Sequence, residues 1–486
     1  MTLLPWLVAV PAPLGLVAGA LRTPRAVLRM CITGSVLMAL LTGVAAVPAL
    51  RERQLSLGGQ LMLDPLSGFH AMVVVGVFVF ASFYARHYFA PAVASGSFDR
   101  AKANRFGFLW FLFLGSMLLT LVSNNLGLMW VGMEATTIAS ALLVCLDRKP
   151  PAVRAAWTYL VMCSVAIALA LLGIIVLCAE AGTIAARGSS VFLWSQITEL
   201  GPLLEPGPVR LAFLLALVGY GTKAGLAPMH SWLPEAHGQA PTPVSAVLSG
   251  VLLNCALYCL SRFVPIVESS SPGWANGVLV PFGVISLGVA AAFIAREHDV
   301  KRLLAFHSVE HMGIITLGLG FGAPAAALFH TLNHSVCKML TFFCAGALAQ
   351  RYGTSDMHRM KGSLRALPLA GGGFLIALLA LIGTPPFSVF MSELWIARAG
   401  INGGHWVATV LFIAATTIVF IAAFRHAAGM TWPATEGATA PQGPTPGLGW
   451  ALVAAPLALL LVLGLVMPPS FSALLGRAGA IVAGTP

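Results

Sequence analysis

Five stretches of this sequence place ionisable side chains among residues that are almost all apolar. Glu134 stands in LGLMWVGMEATTIASALLVCL. Lys223 stands in VGYGTKAGLAPMHSWLPEAHGQAPTPVSA, which also carries His230, Glu235 and His237. Glu310 and His311 fall in LLAFHSVEHMGII. His330, His334 and Lys338 occupy ALFHTLNHSVCKMLTFF, and Glu393 follows the break in ALIGTPPFSVFMSELWIARAG. A charge inside an apolar membrane helix costs about 2.5–3.5 kcal/mol on insertion scales, so such residues point to a pathway for protons or ions. A desolvated carboxylate or ammonium either finds an opposite charge or exchanges a proton near neutrality. Histidine adds two ring nitrogens that can relay one.

Spacing sharpens that chemistry. His330, His334 and Lys338 sit at i, i+4 and i+8, on one face of one helix. Two histidines at i, i+4 suit zinc, but a metal site needs a third ligand and disfavours an ammonium one turn away. A proton wire accounts for all three residues. Gly221, Gly225 and Pro228 interrupt the helix around Lys223, and Gly383-Thr384-Pro385-Pro386 interrupts the one leading to Glu393. Irregular backbone at membrane depth is tolerated only around a cavity or inside protein. A plainer reading stands beside each: structural ion pairs for Glu134 and Lys223, interfacial positions for His230, Glu235 and His237, and satisfied core histidines for the rest.

The elements that must hold these residues follow from composition. Of 486 residues, 58% are hydrophobic and only 9% charged, with a mean hydropathy of +0.90. A soluble domain carries roughly a quarter charged residues. A water-soluble enzyme, a nucleic-acid binder and a disordered chain are therefore excluded. Continuous rather than alternating apolar runs argue against a β-barrel. Read in windows of about 20 residues, the runs give about fourteen transmembrane helices, an all-α polytopic membrane protein. The first, Leu3 to Leu21, has no basic residues before it and reads as a retained span.

The net charge of +11 orients the chain. Loops after odd-numbered helices carry eighteen lysines and arginines, from Arg22, Arg25 and Arg29 through Arg86, Lys301 and Arg302 to Arg425. Loops after even-numbered helices carry six: Arg51, Arg53, Arg187, Arg210, Arg262 and Arg398. Odd loops should face the cytoplasm and both termini the outer side. The 8 cysteines lie in apolar stretches without a C-x-x-C pair, and no dinucleotide, P-loop or flavin fingerprint appears. No cofactor, metal or redox centre of its own is expected, so any catalysis belongs to partners.

The two helix breaks lie five helices apart. An odd offset reverses direction across the bilayer, so two inverted five-helix repeats are expected, helices 4–8 and 9–13, with helices 7 and 12 broken. The chain then reads as one membrane domain: N-terminal helices over 1–100, a first repeat over 104–265, a second over 273–430, and a last helix and tail over 448–486. Glu310 and His311 occupy the tenth-helix position that matches Glu134.

These motifs together resemble a known family. GTKAGLAPMHSWLPEAHGQAPTPVSAVLSGVLLNCALY, HDVKRLLAFHSVEHMGII, ALFHTLNHSVCKMLTFFCAGAL and GTPPFSVFMSE are similar to the antiporter-like, proton-translocating membrane subunits. These are shared by respiratory complex I, multisubunit cation/proton antiporters and membrane-bound hydrogenases, and the hydrogenase-4 component F branch is the nearest. The resemblance spans roughly residues 60 to 430. It implies that Glu134 and Lys223 form a gating ion pair, that His330, His334 and Lys338 carry protons onward, and that Glu393 ends the path. It also implies a bacterial inner-membrane location and a hetero-oligomer of other membrane subunits with a peripheral, nickel–iron hydrogenase-type redox module. The moved ion would be H⁺, or Na⁺ if the chain serves an Mrp-type antiporter; a non-pumping membrane anchor and anion or bicarbonate uptake are further alternatives. Two departures stand out. Ser249 and Asn254 occupy the eighth helix where complex I subunits place a lysine or histidine, so water, His237 or the Ser249 hydroxyl must complete the central wire. The chain ends about twenty residues after its last span, without the long lateral helix of the largest complex I antiporter-like subunit.

Overall fold

The structure, a computed structural model, describes residues 3–50, 54–185, 190–432 and 447–484. Arg51, Arg53 and Arg187 of the charge count, and most of the Thr431–Gly447 loop, lie outside them.

The chain is almost all helix. Short α1 (Leu4–Ala9) and α2 (Pro11–Ala20) precede α3 (Pro24–Leu50) and a small hairpin of β1 (Leu55–Leu57) with β2 (Leu61–Leu63). Then come α4 (Pro65–Ala94), α5 (Arg100–Val122), α6 (Leu126–Val144), α7 (Pro150–Ile184) and the short α8 (Trp194–Leu200). The middle holds α9 (Pro206–Ala224), α10 (Trp232–Gln239), α11 (Thr242–Val247), α12 (Leu253–Ser270), α13 (Trp274–Ile294), α14 (Val300–Gly320) and α15 (Pro324–Tyr352). The last part holds α16 (Ser363–Ala366), α17 (Pro368–Leu381), α18 (Ser388–Asn402), α19 (Trp406–Thr431), α20 (Trp450–Leu465) and α21 (Pro469–Ala483).

Among the described residues nine helices are long and apolar enough to cross a membrane, ten if α20 and α21 count as one span bent by 85°. Neither α9 nor α15 is among them, although they have 19 and 29 residues. Lys223 in one, and His330, His334 and Lys338 in the other, lower their apolar character. Polar helices go to the middle of the bundle. The span Thr242–Ser270 and α14 are wholly buried, whereas α3, α7, α13 and α19 turn apolar faces outward, with Trp157, Val165, Val407 and Ile421 exposed. Lipid solvates those outer side chains, while the polar ones find partners only inside.

Local chemistry fixes the helix ends. Asp64 caps α4 through a reciprocal box with Ser67, and Asn125 and Asp299 cap α6 and α14 through their side-chain oxygens. α9 stops at Gly225 (φ 78°) and α17 is followed by Gly383 (φ 72°), left-handed conformations that cost a side-chain-bearing residue. Each leads into a proline-containing break before the chain resumes as α10 and α18. Between α11 and α12 the backbone takes one π-helical turn, Leu248–Leu252. Such turns displace backbone groups from their regular partners.

One cation of the orientation count is buried in the middle of a helix. Arg262 is buried in α12, where Nη1 and Nη2 donate to Asp64 Oδ2 and Oδ1 at 2.7 and 2.9 Å. It lies over the ring of Trp194 and also donates to the Tyr258 hydroxyl. The apolar run around it continues further than its charge suggests, because Asp64, 198 positions away, supplies the counter-charge.

Candidate functional site

Most of the ionisable residues singled out in the sequence fall into two clusters inside the bundle. The first lies between α6, α7 and the end of α9. Lys223 is fully buried. Its Nζ donates to Thr137 Oγ1 and to the Tyr159 hydroxyl, both at 2.7 Å, and stands 4.8 Å from the Tyr159 ring centre. Glu134 is half-buried on α6. Its Oε1 accepts from Ser164 at 2.6 Å and its Oε2 from Thr137 at 3.3 Å. The two charges therefore make no direct ion pair; the Thr137 hydroxyl stands between them. Tyr159 is held from its other side by Ser140 at 2.7 Å and stacks on Trp232 of α10.

The second cluster lies between α14, α15 and α18, and all its histidines are buried. His307 Nδ1 is 2.8 Å from Glu310 Oε2, one turn along α14. His311 Nδ1 is 2.8 Å from His330 Nε2, and His330 Nδ1 is 2.9 Å from Ser392 Oγ. Ser392 Oγ accepts from Asn333 Nδ2 at 3.0 Å and donates to the Val389 carbonyl at 2.8 Å. With its one hydrogen so placed, Ser392 accepts from His330 Nδ1, and His330 Nε2 in turn accepts from His311 Nδ1; the hydrogen-bond network assigns these tautomers. That leaves His311 Nε2 open, without a partner among the described residues. Glu393, the residue after Ser392, lays its carboxylate over Gly383 in the break, where a Cβ would overlap it.

The single-face wire expected along α15 is not hydrogen-bonded along that face. His330 turns to His311 and Ser392, His334 Nε2 meets the Ser249 carbonyl at 3.1 Å, and Lys338 Nζ donates to the Leu304 carbonyl. Neighbouring side chains on a helix face lie 5–6 Å apart at their roots, and each reaches the adjacent helix before it reaches its neighbour. Lys338 remains within Coulomb reach of His237, His307, His311, His334 and Glu310.

Ser249 and Asn254 take different parts. Ser249 lies in the π-turn, with its carbonyl against His334 and its hydroxyl 2.7 Å from Ser308. Asn254 is tied to Ser335 and the Gly250 carbonyl. His237 is buried, stacks on Phe342, and has neither ring nitrogen hydrogen-bonded. No hydrogen bond among the described residues joins the Lys223 cluster to the His334 cluster. Among the described residues, ring nitrogens on His237, His307, His311 and His334 have no hydrogen-bond partner.

Two residues stand apart from the axis. His230 packs edge-on against Phe293 and Phe306. Glu235 is half-exposed and pairs with Arg302, which also holds Glu297. Sequence reading missed His307, whose signal was its i, i+3 and i+4 relation to Glu310 and His311. It also missed Thr137, Tyr159 and Ser392, neutral residues whose role comes from helices they meet in space. His307, Glu310 and His311 offer three donor atoms within 4.8 Å of one another, as a metal site would. Glu310 is already bonded to His307, however, and the nearby Lys338 opposes a second cation.

A multi-pass bundle whose helices carry buried lysine, histidine and glutamate, and two of whose helices are broken, has the features of a membrane ion pathway. Residues 123–419 match the family model of the NADH:quinone oxidoreductase/Mrp antiporter transmembrane region. The chain belongs to that family. It is 34% identical to a hydrogenase-4 component F homologue of Methylacidiphilum infernorum, over 74% of this chain and 76% of that protein. Hydrogenase-4 component B of Escherichia coli is 30% identical over 68% of this chain, and one of the Na⁺/H⁺ antiporter subunits of Alkalihalophilus pseudofirmus likewise. The chain spans 50% and 42% of the length of those two larger proteins. Among solved structures, the archaeal membrane-bound sulfane sulfur reductase matches with a TM-score of 0.85 at 20% identity, over 99% of this chain and 98% of the other. The Mrp complex of Dietzia matches at 0.80 and 22%, over 99% and 97%. Complex I of Thermus thermophilus matches at 0.77 and 24%, over 96% and 97%. These likenesses establish the fold.

Proposed function

We propose that this antiporter-like protein moves protons across the bacterial inner membrane as part of a hydrogenase-4 or formate-hydrogenlyase-like complex, driven by a peripheral nickel–iron hydrogenase-type module. The observation that carries the reading is the buried hydrogen-bonded chain His311–His330–Ser392, with the Glu393 carboxylate over the break at Gly383 one residue further along α18. A proton arriving at the open Nε2 of His311 releases the Nδ1 proton to His330 Nε2. His330 then releases its own Nδ1 proton to Ser392 Oγ as that hydroxyl gives up its own hydrogen, and water carries the proton on to Glu393. The first two hops each move a proton across one hydrogen bond, and the two histidines return to neutrality with their tautomers exchanged. A second proton resets them by ring or water reorientation.

Lys223 is the loading site of this reading. Its ammonium has only neutral oxygens as partners, so charge arriving at Glu134 from a neighbouring protein of the complex changes its hold on the proton through a low-dielectric interior. His237, Lys338, Ser249 and water carry the proton between clusters. On this reading the chain crosses fourteen times: α1–α2, α3 to α7, broken α9–α10, α11–α12, α13, α14, α15, broken α17–α18, α19 and α20. Both termini then lie outside, and the matched breaks at Gly225 and Gly383 support inverted repeats over 104–265 and 273–430.

Lys223→Met in the assembled complex tests the proposal. Redox-driven proton uptake into sealed vesicles should fall at least tenfold with assembly intact; pumping at the normal rate in that variant would rule the mechanism out. The similarity to the Mrp complex and to a component of an Na⁺/H⁺ antiporter supports a second reading, Mrp-type exchange. A sodium-dependent pH gradient in vesicles without electron donor would favour it.

A further inference from the structure

A pocket of about 330 Å³ opens between the first turns of α3 and the last turns of α4, away from the ion-translocating axis. Arg25 and Arg29 line it from α3, one turn apart on a single face; Arg86 and His87 line it from α4. Leu28, Ala90 and Val93 supply an apolar wall. Among the described residues no carboxylate lines the pocket and none of the three arginines forms an ion pair. Arg262 and Arg302, by contrast, both have acidic partners.

Three guanidinium groups gathered without an anion repel one another, and the arrangement is relieved when an anion enters. Guanidinium forks match phosphate oxygens two at a time. The place matters as much as the charge. Both helix ends belong to the arginine-rich loops, at the level where a membrane helix meets the headgroup layer. Basic pockets between transmembrane helices on that side hold acidic phospholipid headgroups. The positive-inside tendency alone would scatter arginines over the loops; it does not explain their convergence on one cavity with an apolar wall.

We infer that Arg25, Arg29, Arg86 and His87 form a binding site for the phosphodiester headgroup of an acidic phospholipid, with Leu28, Ala90 and Val93 against its glycerol and first methylenes. The lipid would brace α3 against α4 at their shared end.

The test uses the full chain, delipidated in mild detergent and titrated with phosphatidylglycerol, with bound lipid counted by native mass spectrometry. Phosphatidylglycerol should bind at least tenfold more tightly than phosphatidylcholine, and Arg25→Gln/Arg29→Gln/Arg86→Gln should erase that preference. Arg100→Gln/Arg148→Gln/Arg154→Gln, which removes equal charge from exposed positions, should keep it. Should the first triple variant fail to fold, Arg29→Gln and Arg86→Gln singly should each weaken binding about threefold, by the tenfold-per-1.4-kcal/mol relation applied to part of the site. Equal losses in both triple variants would reduce the effect to net charge and overturn the site. Equimolar inorganic phosphate displacing the lipid would overturn the lipid assignment in favour of a free anion. Retention of an acidic protein partner by these arginines, with no lipid preference, would overturn it as well.

Discussion

Lys223 and Glu134 face each other across one hydroxyl. Thr137 accepts from the lysine at 2.7 Å and donates to the carboxylate at 3.3 Å, so the pair is bridged and not in direct contact. A direct buried salt bridge would hold the proton on Lys223 firmly, whereas a bridged one leaves the ammonium responsive to modest changes around Glu134. Glu134 is half-buried and Lys223 fully buried. The carboxylate is thus the member of the pair that a neighbouring protein can reach.

Removing that bridge should uncouple the pair. Thr137→Val keeps the shape and deletes the hydroxyl, leaving Lys223 with Tyr159 alone. Losing one buried hydrogen bond costs about 1–3 kcal/mol, so coupled proton uptake should fall roughly five- to a hundredfold while the complex still assembles. Thr137→Ser should retain most activity. Vesicle acidification during redox turnover reads both, and a valine variant that pumps as wild type would show that Thr137 only packs.

His330 joins α14 to α18, because its two nitrogens contact His311 and Ser392. His330→Gln can still hydrogen-bond on both sides but cannot pass a proton between two ring nitrogens. Proton uptake should drop by more than tenfold with little change in thermal stability. Ser392→Ala should have a smaller effect, about three- to tenfold, since water can replace a hydroxyl in a polar cavity. An equal loss in the two variants would argue for a structural role.

Much of this site was legible in the sequence, and the boundary of legibility is physical. Lys223, His330, His334 and Lys338 stand out against their apolar surroundings, and Gly225 and Gly383 mark the breaks because their backbone takes left-handed angles. What one helix cannot disclose is its neighbours. The order along α15 suggests a wire on one face, yet His334 turns to Ser249 and Lys338 to Leu304. Arg262 reads as a loop cation until Asp64, far away in sequence, is seen against it. Thr137 and Ser392 are neutral, small and common, and only their contacts single them out.

The Asp64–Arg262 pair should matter for stability and not for transport. It is buried and bidentate, shares no hydrogen bond with the relay among the described residues, and Asp64 also caps α4. Deleting one partner strands the other charge, at a cost of about 3–5 kcal/mol, whereas replacing both with apolar residues can be nearly neutral. Arg262→Met and Asp64→Leu should each lower the detergent melting temperature markedly, and the double variant should recover more than half the loss. Strict additivity of the two single effects would mean that the pair is not coupled.

Gly383 is where backbone geometry and the proposed exit residue meet. Its φ of 72° disfavours any side chain, and a Cβ there would overlap the Glu393 carboxylate. Gly383→Ala therefore combines a backbone cost of about 1–2 kcal/mol with displacement of the carboxylate from the break. Proton release should slow more than stability falls, because the Glu393 carboxylate leaves its seat over the break while the rest of α18 keeps its packing. Gly429→Ala, at a position with nothing within 4 Å and an ordinary backbone angle, should leave both unchanged. Stopped-flow detection of proton release from the reconstituted complex, set beside its melting curve, separates the two effects. A Gly383→Ala protein that melts early but releases protons at the wild-type rate would remove Glu393's seat over the break from the exit path.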